Sequence, residues 1–251
     1  MRTLVAAEPH RADLQCDLCE SLNNRGNLGR SGRSDDARAY FDESLAVMRT
    51  LVATEPHRAD LRRDLSVSLN NLGDLAQSAG RSDDARAYFD DALAVRRALV
   101  AAEPHRADLQ RDLSMSLNSL GHLAVGAGRS DDAGVYFDEA LVVMQKLLAA
   151  EPHRADLRLP LAISLFGLVA ARDEETAYLR RVLETLAPLR AAGSDDQEVA
   201  QLWEMASTLL ASREHLGSAD GSPSARRRLP EVVACSGLAA ALWWAWAHWF
   251  P

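Results

Sequence analysis

Between residues 55 and 102 the apolar positions form two helical stripes that are separated by a polar turn. In the first stripe, apolar residues recur at steps of four, four, three and four, which places them on one face of a helix. These residues are Leu61, Leu65, Leu69, Leu72 and Ala76. The pattern predicts a first helix, called helix A below, that begins after Pro56.

The polar turn carries residues that end one helix and begin the next. Gly80 favours a helix stop, Ser82 is expected to cap the following helix, and Asp83 and Asp84 suit its first turn. This second helix, helix B, should end near Glu103, because a residue before proline is pushed out of the helical region. Its apolar face consists of Ala85, Tyr88, Phe89, Ala92, Leu93, Leu99 and Val100.

The segment Glu-Pro-His-Arg-Ala-Asp-Leu occurs four times without change and divides the chain into repeats of 47, 48 and 48 residues. Repeats 1 to 4 begin at Glu8, Glu55, Glu103 and Glu151. Each helix hairpin has an apolar stripe on both helices, which a single repeat cannot cover alone. A period of this length predicts a stacked helical array, and the repeated segment is then the joint between hairpins.

Repeat 2 contains a spaced set of small and aromatic residues: Leu72-Gly73, Ala85, Phe89 and Ala92. This spacing resembles the Leu-Gly, Ala-x3-Phe and Ala pattern of the tetratricopeptide repeat family. The corresponding residues are Leu120-Gly121, Ala133, Phe137 and Ala140 in repeat 3, and Arg25-Gly26, Ala37, Phe41 and Ser44 in repeat 1.

The period of 48 residues exceeds the family's usual period of about 34, which indicates a long-helix variety, bacterial in type. The resemblance covers roughly residues 1–170. It implies an all-α fold, a right-handed α-solenoid of antiparallel helix hairpins.

Residues 1–157 are predicted to form this array, which starts in the middle of a hairpin because Met1–Pro9 matches Met48–Pro56 with one difference. The open end that results is a candidate surface for self-association. Residues 158–216 are expected to form a degenerate repeat and C-terminal cap helices, since a terminal repeat must have one face in water.

Within the cap, helix B of repeat 4 is predicted over Thr176–Ala192, with an interruption at Pro188. A last helix is expected to begin at Ser194, whose spacing to Gln197 is that of a capping box, and to end near His215.

Residues 217–231 are predicted to be a flexible basic linker, and residues 232–251 an apolar tail rich in tryptophan. The tail contains 19 consecutive residues without Asp, Glu, Lys or Arg, long enough to cross a hydrocarbon core of about 30 Å. Arg226, Arg227 and Arg228 would hold the preceding flank in the cytoplasm. Three alternatives stay open: a membrane anchor, an apolar helix that folds back on the array, and a disordered tail.

Composition and charge exclude several other classes of protein. The net charge of -8 disfavours nucleic acid as a partner. Cys16, Cys19 and Cys235 are too few for a disulfide framework, which favours a cytoplasmic location, and the Cys16/Cys19 pair has no second pair with which to bind zinc. No secretory signal precedes Pro9.

The histidines of the four joints suggest a metal site only superficially. They are His10, His57, His105 and His153. Stacked hairpins place such residues about 10 Å apart, too far for two of them to share one zinc ion. No repeat has a nucleophile beside a base or a phosphate-binding loop, so we expect no catalytic residues, no cofactor and no enzyme activity.

The resemblance implies a partner-binding groove along helix A. The nine residues that it places there are Asn23, Asn24, Asn27, Asn70, Asn71, Asp74, Asn118, Ser119 and His122. Asparagine suits an extended peptide because it both donates and accepts hydrogen bonds. The alternative is that these side chains bond neighbouring helices. A clamp for peptide carboxylates is disfavoured, because Glu20, Val67 and Met115 stand where the family's clamps carry Lys or Arg.

The sequence thus predicts a non-enzymatic scaffold that binds a protein or peptide. Two alternatives remain: the array is the sensor or oligomerisation arm of a larger signalling protein, or the tail makes the chain a membrane-anchored adaptor.

Overall fold

The computed structural model describes Thr3 and residues 11–29, 34–172 and 175–219. Every regular element in these ranges is a helix, which confirms the predicted all-α class. The α-helices are α1 (Ala12–Gly29), α2 (Ser34–Thr54), α3 (Ala59–Ser78), α4 (Ser82–Ala102), α5 (Ala107–Gly126), α6 (Ser130–Ala150), α7 (Arg158–Ala171), α8 (Glu175–Ala191) and α9 (Gln197–Ala219). A short 3-10 helix, Ala155–Leu157, precedes α7.

The chain divides into two compact units, unit 1 (residues 1–116) and unit 2 (residues 117–251), and the division falls inside α5. In unit 1, α1 packs on α2, α2 on α3 and α3 on α4. In unit 2, α6 packs on α7, α7 on α8 and α8 on α9. Successive helices are therefore neighbours within each unit, as stacked hairpins require. The predicted limits of the array, its cap, the linker and the tail stay predictions.

A phenylalanine of helix B lies against a glycine of helix A in each of the first three hairpins. Phe41, Phe89 and Phe137 are fully buried. A Cβ atom added to Gly121 would lie 2.7 Å from the Phe137 ring, and one added to Gly73 would lie even closer to the Phe89 ring. The absence of a side chain at this glycine therefore lets the two helices approach closely.

The turn between the helices of a hairpin is closed by a glycine. Gly80 has a positive φ of 73°, and the backbone N–H of Arg81 donates to the carbonyl of Ala76 at 2.8 Å, which is the Schellman arrangement. The predicted glycine stop is thus confirmed. The predicted Ser82 cap is wrong: Arg81 is the N-cap without a side-chain cap bond, because its carbonyl already accepts from Ala85 N at 3.0 Å.

The joint between hairpins is held by a local ion pair. Arg58 donates to Asp60 at 2.5 Å and to Glu55 at 3.4 Å, and the Asp60 contact lowers the pKa of that carboxyl. The same pairing recurs between Arg106 and Asp108. These groups are exposed, so each pair stabilises the fold by at most about 1 kcal/mol.

Two details of the cap differ from prediction. Helix α8 continues through Pro188. Proline lacks the N–H that would bond the carbonyl of Glu184, but Glu184 is exposed, so water can bond that carbonyl instead. Helix α9 begins at Gln197 rather than Ser194, because the Asp196 carboxylate accepts from Glu198 N at 2.9 Å and thereby caps the first turn.

None of the described helices is long and apolar enough to cross a membrane. Residues 217–219 of the predicted linker belong to the end of α9. The rest of the predicted linker, residues 220–231, and the tryptophan-rich tail lie outside the described residues, as does His10.

Candidate functional site

The nine predicted groove residues all lie on helix A elements, but they differ in exposure. Asn24 is exposed, and Asn23, Asn27 and His122 are partly buried. Five are buried: Asn70, Asn71, Asp74, Asn118 and Ser119. The polar line expected along helix A is therefore accessible mainly on α1.

Two of the buried asparagines bond the helix A of the following repeat. The Ser116 hydroxyl donates to Asn70 Oδ1 at 3.2 Å, and the Ser164 hydroxyl donates to Asn118 Oδ1 at 3.1 Å. At these two positions the alternative role, bonding between neighbouring helices, is the one that the contacts support. A buried serine–amide bond of this kind contributes about 1 kcal/mol to stability.

Repeat 1 departs from this arrangement because Ser44 replaces the alanine of the other repeats. The Ser44 and Ser68 hydroxyls lie 3.2 Å apart in a buried hydrogen bond. Asn23 Oδ1 is buried and has no hydrogen-bond partner among residues 11–29, 34–172 and 175–219. The side chain that corresponds to Asn70 is therefore used differently in the first repeat.

A buried arginine connects repeats 2 and 3. Arg96 of α4 is only 4% exposed, and it donates to the Ser66 hydroxyl at 3.0 Å, the Asp112 carbonyl at 2.7 Å and the Ser116 hydroxyl at 2.8 Å. Burial lowers the pKa of its guanidinium to about 10, so the group stays charged at neutral pH. Sequence reasoning missed Arg96, although the signal was present: Met48 and Met144 occupy the same position.

The carboxylate of Asp112 is neutralised from the preceding repeat. Arg63 Nε donates to Asp112 Oδ2 at 2.5 Å and Arg63 Nη2 donates to Oδ1 at 3.3 Å, which is the two-pronged geometry that arginine favours. This contact raises the pKa of Arg63. One repeat earlier, Cys16 stands at the position of Arg63 and Asp64 at the position of Asp112. Asp64 therefore has no arginine at that position to pair with.

Several accessible polar and apolar groups of unit 1 share one side of helix A. Their spacing, i, i+3 and i+7, places them on a single stripe of each helix. We call them the helix A face of unit 1: Asp17, Glu20 and Asn24 on α1, Asp64 and Val67 on α3, and Met115 on α5. Met115 is partly buried and the others are exposed.

Comparison with known families gives one match. Residues 17–98, which include the helix A positions of α1 and α3, match the family model for the tetratricopeptide repeat. The matched segment belongs to the tetratricopeptide repeat family. No curated protein matches the chain. Repeats of this family generally mediate protein–protein interaction.

The histidines of the joints between hairpins are exposed to solvent. His57, His105 and His153 are exposed on the segments between hairpins. The described residues include no group of three or more His, Cys, Asp or Glu side chains arranged to hold a metal ion.

His122 differs from these histidines because it is packed between helices. Its ring meets the Phe137 ring edge-on, with 5.0 Å between ring centroids, and its Nε2 atom is buried. Burial lowers the pKa of His122 to about 4, so the imidazole is neutral at pH 7. A group in this state packs helices and does not supply a positive charge to a ligand.

We expect His122 to make stability depend on pH between 6.5 and 4. An unfolded histidine takes up a proton near pH 6.5, whereas the folded one does so only near 4, so stability falls as the pH falls through this window. The loss due to His122 between pH 7 and pH 5 should be about 2 kcal/mol. It is measured by urea unfolding at both pH values.

The matched control for this pH dependence is His122→Asn, which introduces the residue type of Asn27, the corresponding residue of repeat 1. Carboxylates and exposed histidines titrate equally in both proteins, so the difference between them isolates His122. An equal pH dependence in the variant would contradict a buried neutral imidazole.

Proposed function

We propose that this chain is a non-enzymatic scaffold that binds a protein or peptide partner on the helix A face of unit 1. One observation carries the proposal: the exposed side chains of this face are not used by the fold. Asp17, Glu20, Asn24 and Asp64 form no hydrogen bond or ion pair within the part of the chain that the structure describes. Val67 is 38% exposed beside them.

Binding is thereby separated from packing along the same helices. Asn70 and Asn118 serve the bonds between helices, whereas Asn24 and the exposed residues one turn before it stay available to a partner. The proposed groove therefore uses fewer positions than the nine that the family resemblance implied.

The proposal is tested with a random library of displayed peptides selected on the full chain. We expect the selected peptides to bind the variant Asn24→Ala/Val67→Ser at least about tenfold more weakly than the parent, because both changes remove groups from the helix A face. The measurement is fluorescence anisotropy with the labelled peptides.

The control makes the same kinds of change on helix B. Asp91→Ala/Ala98→Ser replaces one exposed polar and one exposed apolar residue of α4. Its peptide affinity should equal that of the parent. An equal loss in the helix B variant would show that the partner does not use the helix A face.

Location is part of the same proposal. The low cysteine content supports a cytoplasmic scaffold, and the tryptophan-rich tail supports its attachment to the inner face of the membrane. Fractionation of the chain with and without residues 232–251 tests this attachment, and a full-length chain found only in the supernatant contradicts it.

A further inference from the structure

At one junction between hairpins, an aspartate of helix A is neutralised by an arginine from the preceding repeat. Between repeats 2 and 3 the pair is Arg63 and Asp112, joined at 2.5 Å, with Asp112 only 5% exposed. Between repeats 1 and 2 the arginine position is Cys16, and Asp64 is exposed. The aspartate at the junction between repeats 2 and 3 is therefore paired with an arginine, whereas the aspartate at the junction between repeats 1 and 2 is not.

Neighbouring carboxylates increase the negative potential around Asp64. Partial burial raises the pKa of Asp64, and the carboxylates of Asp60 and Glu20 add to the rise, whereas the attraction of Arg63 opposes it. Asp17 adds to the negative potential felt at Cys16. Asp60 is already paired with Arg58, but Asp17, Glu20 and Asp64 form no salt bridge in the described ranges.

An apolar surface adjoins these three carboxylates. Val67 follows Asp64 by three residues on α3, and Met115 occupies the same repeat position on α5. The Asn70–Ser116 and Arg63–Asp112 bonds hold α3 and α5 side by side there. An exposed valine of this kind is not needed for packing and offers area to a partner.

A buried polar group lies on the same stripe. Asn71 follows Val67 by four residues and is only 6% exposed, yet its side-chain amide forms no hydrogen bond among the residues that the structure describes. The polar atoms of this amide are not enclosed by the fold, so they can bond a ligand that brings a peptide N–H or C=O to them.

We infer that the helix A face of unit 1 binds a protein segment in which an arginine or lysine stands next to an apolar side chain. The cation is placed by Asp64 and Glu20, the apolar side chain lies against Val67 and Met115, and Asn71 bonds the backbone of the segment. An acidic segment is repelled by the same carboxylates. This inference rests on the proposed function, and it specifies the chemistry of the partner.

The test uses three labelled peptides of equal length with the full chain: alternating Arg-Leu, alternating Glu-Leu and alternating Arg-Ser. We expect the Arg-Leu peptide to bind at least about tenfold tighter than either of the others in fluorescence anisotropy, with an affinity that falls as salt rises. Equal binding of Arg-Ser would remove the apolar part of the inference. Equal binding of Glu-Leu would overturn it.

The sharpest variant restores the arginine that repeat 1 lacks. Cys16→Arg should pair with Asp64 as Arg63 pairs with Asp112, and should weaken Arg-Leu binding about tenfold. Cys16→Ser removes the thiol without adding charge and should leave binding unchanged. Circular dichroism confirms that both variants fold. If Cys16→Arg is folded and binds as the parent does, the inference is wrong.

General attraction to an acidic protein is excluded with two variants of equal charge change. Glu20→Gln/Asp64→Asn should weaken Arg-Leu binding about tenfold, whereas Asp83→Asn/Asp91→Asn on α4 should not. Equal losses would overturn the inference. If library peptides need the helix A face but carry no basic residues, the proposed function stands and only this inference fails.

Discussion

Replacing Gly73 by alanine is expected to destabilise the protein by about 2 kcal/mol in urea unfolding. The new Cβ would lie within 3.0 Å of the Phe89 ring, which is fully buried and has no room to move. Such overpacking costs about 1–3 kcal/mol, and the better helix propensity of alanine offsets only about 1 kcal/mol of it.

Gly126→Ala is the matched control for this substitution. Gly126 is also helical, but nothing lies within 4 Å of the Cβ that it would acquire, so propensity alone acts and stability should rise by up to about 1 kcal/mol. In the Phe89→Leu background the cost of Gly73→Ala should become smaller, because the obstructing ring is gone. Equal effects of the two glycine substitutions would contradict close helix packing at Gly73.

The hairpins could be predicted from the sequence because their signals are local. Gly80 ends α3 through a positive φ, and Pro104 ends α4, and both residues act on the backbone next to them. The repeat period then supplied the order of packing. Errors arose at single helix ends, where Asp196 rather than Ser194 caps α9 and the first turn of α4 uses the Arg81 carbonyl.

The site was harder to predict because periodicity identifies the face of a helix but not its exposure. Asn24 and Asn71 occupy the same position of successive repeats, yet one is exposed and the other is 6% exposed. Whether an asparagine is taken by a neighbour depends on the serine that the next repeat presents, as Ser116 does for Asn70. Such contacts depend on stacking geometry, which a single repeat does not contain.

Near-identity of the repeats also hides functional differences between junctions. Cys16 replaces an arginine that elsewhere neutralises an aspartate, and Arg96 replaces a methionine that elsewhere fills the core. Each is one substitution in a repeat of 48 residues, but each changes the charge of a junction. The first leaves Asp64 without a salt bridge, whereas the second adds a buried cation that hydrogen bonds within the junction satisfy.

Arg96→Ala is expected to lower the free energy of unfolding by about 3 kcal/mol or more. The variant removes a long buried side chain and the three hydrogen bonds that it donates, and it leaves a cavity between repeats 2 and 3. Urea unfolding of the full chain measures the loss. A loss below about 1 kcal/mol would show that the junction does not depend on this side chain.

Arg96→Met should cost far less, because methionine fills the same position in repeats 1 and 3. The hydroxyl partners stay satisfied: Ser66 also donates to the Arg63 carbonyl at 2.7 Å, and Ser116 also donates to Asn70. Asp112 keeps its bonds to Arg63. We expect the methionine variant to lie within about 1 kcal/mol of the parent.

A double-mutant cycle separates the contributions of the two arginines near Asp112 to stability. Asp112→Ala should cost more when Arg96 is present than in the Arg96→Met background, because only the buried Arg96 guanidinium then loses the attraction of the Asp112 carboxylate. Equal costs in the two backgrounds would mean that Arg96 acts only through its shape. A difference would establish that the junction is a charge network, in which repeat 3 supplies the anion and repeat 2 supplies both cations.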